Sequence, residues 1–301
     1  MRPGSAGHRL VPRTHPYLQN PYPSSCLALH GAGVQRFLRR FRSNTTYNDF
    51  MPSKPAYQTQ GIVIGRTNFG EADRVVRFLT AGYGKVSAVA KGVRKIKSRS
   101  GGHLELFGEV NLMLIAGRNL DTVTSARLLW YPHDFVSHYD RLELAFIIAR
   151  TVDRLTEPGQ PTPGLYELTR EALGALDDGP SDIVLIELWF KLRLLDVLGY
   201  RPELGACIIC GQQSAETTYA FSTERGGIVC HADSNPLDTP MSTEQIKFWR
   251  LLSDYPYQTI AHIADAPALA TATLSLCNTF YEHHLSYSFL ATSTFDKNDK
   301  K

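Results

Sequence analysis

The sequence predicts an α+β protein: a small barrel of five short strands, then a helical region interrupted by a cysteine-bearing module. Three observations carry this prediction. β-Branched runs punctuated by turn residues fill 57–132, and apolar side chains recur with helical period from 142 onward. Three cysteines cluster between 205 and 236 at metal-ligand spacing.

The first strand is marked by Ile62-Val63-Ile64, which Gly65 is expected to end. A second run covers 74–79, and Gly82-Tyr83-Gly84 makes a turn before a third over 85–90. Runs at 110–115 and 122–128 flank Ala116-Gly117-Arg118-Asn119, a hairpin signal. Five short strands in so few residues point to the OB-fold, the commonest five-stranded barrel. Beyond Pro132 the period changes. Leu142, Leu144, Ala145, Ile148, Val152 and Leu155 form one stripe that Pro158-Gly159 stops. Two further helices are expected over 165–176 and 183–198. Ser242 with Gln245 three residues later forms a capping box opening a helix over 244–252, and a last helix covers 268–285. The resulting division is a basic extension (1–52), the barrel (53–132), helices (133–204), a zinc-ribbon-like module (205–236), further helices (237–290) and a frayed tail (291–301).

Charge is unevenly placed. Residues 1–50 hold seven arginines and one acid, whereas the remaining 251 hold 25 basic and 28 acidic side chains, a net −3. The leader has a transit-peptide-like composition, and Arg36 to Arg42 are suited to touching nucleic acid or lipid. Too little of it is apolar to fold, and Met51 opens the patterned domain, so the leader is expected to be dispensable. On an acidic body, any nucleic-acid site must be a local patch. One such patch stands out. Lys85, Lys91, Arg94, Lys95, Lys97 and Arg99 fall within fifteen residues that contain no acid, and Arg74 lies on the preceding strand. A basic loop leaving a barrel strand holds phosphates by charge and counterion release, not by base identity. Phe69 and Tyr83 are candidates for stacking on bases, although the expected place for each is the barrel core.

Cys207-x2-Cys210 and Cys230-x2-Asp233 provide two knuckles able to face each other around a structural zinc, with Asp233 as the fourth ligand and His231 as its rival. The catalytic patterns are missing. Gly84-Lys85 lacks the spacing and the Ser/Thr of a phosphate-binding loop, and neither G-x-S-x-G nor H-E-x-x-H occurs. A non-enzymatic binding protein is expected. No apolar run approaches the ~20 residues of a membrane helix, and thiols at metal-ligand spacing suit a reducing, cytoplasmic setting. Cys277 is expected in the core, and the pair His283-His284 near a helix end.

These residues also carry a family pattern. Gly70-Glu71-Ala72-Asp73-Arg74-Val75-Val76, then Gly84-Lys85, then Ala90-Lys91-Gly92-Val93-Arg94-Lys95-x-Lys97-Ser98-Arg99 resemble the opening of the RecO family. Leu104, Leu106 and Phe107, Gly199-Tyr200-x-Pro202, the Cys207–Cys210 pair and Phe221-Ser222-x4-Gly227 continue the resemblance, which spans about 57–290. It implies an OB-fold, a helical domain and, in some members, a four-cysteine zinc module, from which Asp233 is a departure. It also implies a recombination mediator that binds single- and double-stranded DNA and anneals complementary strands. Such a mediator works with RecR, grips the C-terminal tail of single-strand-binding protein, and promotes RecA loading at the nucleoid. The leader has no counterpart in that pattern. An RNA-binding or ribosome-associated OB-fold factor is the alternative.

Overall fold

The computed structural model describes residues 55–285 except 96–97, 99–100, 180 and 214–217. Five strands close the barrel: β1 (Ala56–Phe69), β2 (Asp73–Thr80), β3 (Gly84–Ala90), β4 (Glu109–Ile115) and β5 (Asp121–Trp130), in the order β1-β2-β3-β5-β4. The first strand is longer than its β-branched run suggests and passes through Gly65. Its first half pairs with β4 and its second with β2, and the register shifts between Val63 and Gly65. That bulge bends one strand across two neighbours, which is how five strands close on themselves. The Arg77 guanidinium lies over Gly65, where a Cβ would stand 2.5 Å from it. Closure between β3 and β5 is parallel and brief, through Ala88–Asp121 and Val89–Thr122. Inward alternation fills the barrel with Val63, Val76, Phe78, Val86, Ala88, Val110, Leu112 and Leu114.

The helical region contains α1 (Tyr139–Leu155), α2 (Leu165–Asp177), α3 (Ile183–Val197), α4 (Thr243–Asp254), the single turn α5 (Tyr257–Ile260) and α6 (Ala266–Leu285). The central helix, α3, has no polar stripe because α2, α4 and α6 all pack on it. Its Trp189, Phe190 and even Lys191 are fully buried, the last bonded to Glu187 and to Asn278 of α6. Asp182 caps it through the Leu185 N–H at 2.8 Å. The capping box at α4 is present in both directions, Ser242 to Gln245 and back. Between α3 and α4 a three-stranded sheet forms from β6 (Thr218–Ser222), β7 (Gly227–Cys230) and β8 (Thr239–Ser242), in the order β7-β6-β8. Its inner residues Phe221, Ile228 and Met241 share one core with the helices, with the Phe221 ring 5.3 Å from Trp249 and 5.5 Å from Phe280.

The barrel is joined to that core by apolar and ionic contacts. Ile62, Ile64, Leu79 and Phe107 belong to the helical core, not the barrel interior. Phe107 takes a left-handed φ of 69° and places its ring 5.6 Å from Phe135 and 5.2 Å from Phe146. At one end Glu109 accepts from Tyr166 at 2.6 Å and from Arg170 at 2.8 Å, and the Arg170 guanidinium sits 3.8 Å over the Trp130 ring. At the other, Asp153 of α1 pairs with Arg77 at 3.1 Å and Lys85 at 3.3 Å. No helix among the described residues is long and apolar enough to cross a membrane.

Candidate nucleic-acid interface and metal centre

Strand β3 runs into a tight turn that Gly92 makes possible with φ +64°. Val93 turns inward and is 4% exposed, so it anchors the turn in the barrel core, while Lys91, Arg94 and Lys95 face solvent. Hydrogen bonds tie this turn to the one between β1 and β2. The Gly92 N–H donates to Asp73 Oδ1 at 2.7 Å, the Arg94 N–H to the Ala72 carbonyl at 3.0 Å, and Arg94 Nη1 to the Gly70 carbonyl at 3.0 Å. Three cations are thus presented on a rigid double turn, which limits the entropy lost when they engage phosphates. Glu71 is an exposed acid in the same unit.

The remaining predicted cations do not all join them. Lys97 and Arg99 lie outside the described residues. Arg74 is turned toward the mouth of the barrel, 3.3 Å from Asn68 and 3.6 Å from Glu105, which also pairs with Arg66. The place of Lys85 corrects the grouping made from sequence. Its ammonium is mostly buried, bonded to the Asp153 carbonyl and paired with the Asp153 carboxylate. Six residues of extended chain, about 20 Å, separate it from Lys91. The sequence places these cations in one acid-free run, but Asp153 reaches Lys85 from 68 residues away. Phe69 and Tyr83 depart from expectation too. They are 56% and 45% exposed, and neither is core. Tyr83 leans on Tyr57, with ring centroids 4.6 Å apart, at the Lys85 end of the barrel.

The second site is a pair of knuckles. Cys207-Ile208-Ile209-Cys210 closes with the Gly211 N–H bonded to the Cys207 carbonyl at 2.9 Å, and Gly211 takes φ +72°. Cys230 to Asp233 turns in the same way, with its closing bond at 3.1 Å. The Ile208 N–H donates to the Ile228 carbonyl at 3.0 Å and holds the knuckles face to face. As a result one ligand atom from each of Cys207, Cys210, Cys230 and Asp233 lies within 4.8 Å of all the others. The Cys210 and Cys230 sulfurs are 3.9 Å apart, and Asp233 Oδ2 is 3.1 Å from Cys230 Sγ and 3.4 Å from Cys207 Sγ. Tetrahedral Zn–S bonds of about 2.3 Å put ligand sulfurs about 3.8 Å apart, so the cluster can hold a metal ion. His231 is exposed and is not part of the cluster.

Protonation reflects this crowding. The hydrogen bond to Asp233, with burial, pushes the Cys230 thiol up to about 12, and the same bond holds the Asp233 carboxyl below its ordinary value. Burial raises Cys207, but backbone N–H groups of Cys210, Cys230 and Ile209 outweigh it and lower that thiol. Four potential anions this close ionise together only around a cation.

A family model described as "Recombination protein O N terminal" matches residues 53–131, and "Recombination protein O C terminal" matches 136–291. The chain belongs to the RecO family. Among curated relatives, the DNA repair protein RecO of Roseiflexus sp. is 37% identical over 231 residues, which are 76% of this chain and 81% of that protein. That of Bifidobacterium adolescentis is 34% identical over 235 residues, 77% and 95% of the two chains. The RecO-family fold thus accounts for the closed barrel and the helices after it, and the family role is DNA repair.

Phe248, Trp249, Phe280 and Tyr281 are at most 2% exposed and form core, with Phe221 of β6 packed against Trp249 and Phe280. An apolar groove of about 480 Å³ nevertheless runs between α4 and the start of α6. Phe248, Leu251, Ile263 and Leu269 line it, with Lys247 at its rim beside the acids Glu244 and Asp265.

Proposed function

We propose that this chain is a recombination mediator that binds DNA through the basic double turn and brings complementary single strands together. The observation that carries this reading is the exposure of Lys91, Arg94 and Lys95 on a unit fixed by three hydrogen bonds. Cations held this way neutralise phosphates of any sequence, and two backbones neutralised on one surface repel each other less. Pairing then releases free energy from the bases themselves. No nucleotide hydrolysis and no catalytic group is required, and the protein acts as a binding factor in the cytoplasm.

The partners in this reading are those that the family resemblance implies. RecR would act with it to load RecA on DNA coated by single-strand-binding protein. The acidic, apolar-ended tail of that protein would seat its apolar end in the α4–α6 groove, with its charge against Lys247. Zinc is the metal that three thiolates and a carboxylate suit, held by Cys207, Cys210, Cys230 and Asp233 in a closed structural site. Metal analysis should find about one zinc per chain, and chelation should lower the melting temperature. Protein prepared with ample zinc and found metal-free would remove this part of the reading.

The test of the interface is R94A/K95A in the full chain. Affinity for all DNA sequences should fall alike, and the slope of log K against log salt should flatten by roughly 0.7 per lost contact on single strands. An unchanged slope would place the interface elsewhere. Annealing of oligonucleotides coated with single-strand-binding protein should proceed without ATP and should slow when the tail is deleted. Strict ATP dependence would refute the mechanism, and indifference to the tail would refute the docking step.

A further inference from the structure

Phe69 is the last residue of β1, and its ring is 56% exposed although phenylalanine has no polar atom to hold in water. Pairing registers show what it faces. Phe69 stands opposite Asp73, Thr67 opposite Val75, and Val75 opposite Val89, so these side chains share the outer face of the barrel. Val75 and Val89 are half-buried, and Thr67 is exposed. Arg77 and Ser87 continue the same face toward α1, where Asp153 pairs with Arg77 and closes it. The open end of the face is the end that bears the ring. There the ring adjoins the basic double turn: Gly70, its chain neighbour, accepts from Arg94, and Asp73, its cross-strand partner, accepts from the Gly92 N–H. The Asp73 carboxylate is thereby held by the backbone of the basic turn, and Glu71 is an exposed acid two residues from the ring.

We infer that Phe69 stacks on an unpaired base and makes this surface select single strands over duplex. The inference rests on the DNA-binding reading above and assigns a division of labour within that site. Lys91, Arg94 and Lys95 meet phosphates, which single strands and duplexes both present. An exposed aromatic face can be covered by a base only where that base is unstacked, which duplex DNA does not offer. Stacking of this kind tolerates any base, since every base has a π-face. Tyr83 does not share the role, because its ring already leans on Tyr57 at the far end of the barrel.

Full-length protein carrying Phe69→Ala, Phe69→Leu or Phe69→Tyr should be compared on a single strand containing 2-aminopurine and on a blunt duplex of equal length. For F69A, affinity for the single strand should fall by about 5- to 150-fold, the range for loss of one base–aromatic stack. Duplex affinity and the salt slope should hold, and quenching of 2-aminopurine on binding should disappear. F69L keeps the apolar bulk but lacks the π-face and should behave as F69A does, while F69Y should retain both affinity and quenching. Equal losses on single strand and duplex, or no loss on either, would overturn the inference and leave the basic turn in place. Failure of the unaltered protein to bind either DNA would overturn the underlying reading itself.

Discussion

The two ends of strand β3 carry similar charge and have opposite fates. At its start, Lys85 is mostly buried against Asp153, and the chain around it is pinned. The Gly159 N–H donates to the Lys85 carbonyl at 2.9 Å, and Gly84 comes so close to the α1–α2 loop that a Cβ would lie 2.2 Å from the Gln160 carbonyl oxygen. At its far end, Lys91, Arg94 and Lys95 are exposed and pair with no acid among the described residues, and their turn is held by Val93, by the Asp73 carboxylate and by bonds from Arg94 to the Ala72 and Gly70 carbonyls. One strand thus attaches the barrel to the helices at one end and leaves cations free for a ligand at the other. A basic residue acts on a partner only if the fold has not already given it one.

The contrast can be broken most severely at the packed end. Gly84→Val combines a backbone collision with a φ of +65°, so it should cost about 3 kcal/mol or more in denaturant unfolding. A variant of near-normal stability would mean that the loop yields easily and that this end is not rigid. Asp153→Ala leaves Lys85 without its carboxylate and should cost about 2 kcal/mol, with the salt dependence of DNA binding unaltered. A steeper slope for that variant would show that the released Lys85 reaches DNA. R94A/K95A should show the mirror image: weaker DNA binding, but an unfolding midpoint shifted by no more than about 0.5 kcal/mol. Substantial destabilisation there would make the exposed end structural as well. The smallest effect is expected from a chain beginning at Met51, which should anneal DNA as the full chain does. Loss of annealing would enrol Arg36 to Arg42 in the site.

Much of this was legible in the residues. Alternation and turn signals predicted the barrel strands, the Ser242–Gln245 box was visible as a spacing, and the Cys207, Cys210, Cys230 and Asp233 spacing identified the cluster that the knuckles assemble. What could not be read shares one cause. The extent of β1 beyond Gly65 depends on two neighbours that it pairs with in turn. The β8 strand has almost no signal in Thr239-Pro-Met-Ser242, because it exists only as a partner of β6. The core places of Trp249 and Phe280 depend on Phe221 of β6, which lies far from both in the chain.

By itself, then, the sequence determined the local elements, the acid-free basic run and the metal-ligand spacing, since each depends on residues close together in the chain. Only the tertiary structure decided which cations remain free, which aromatic is exposed and which helix faces are covered. Those outcomes depend on residues brought from far away, as Asp153 is to Lys85 across 68 positions. Burial, ion pairing and exposure are properties of such juxtapositions, and a side chain's type sets only what it can do once its neighbours are in place.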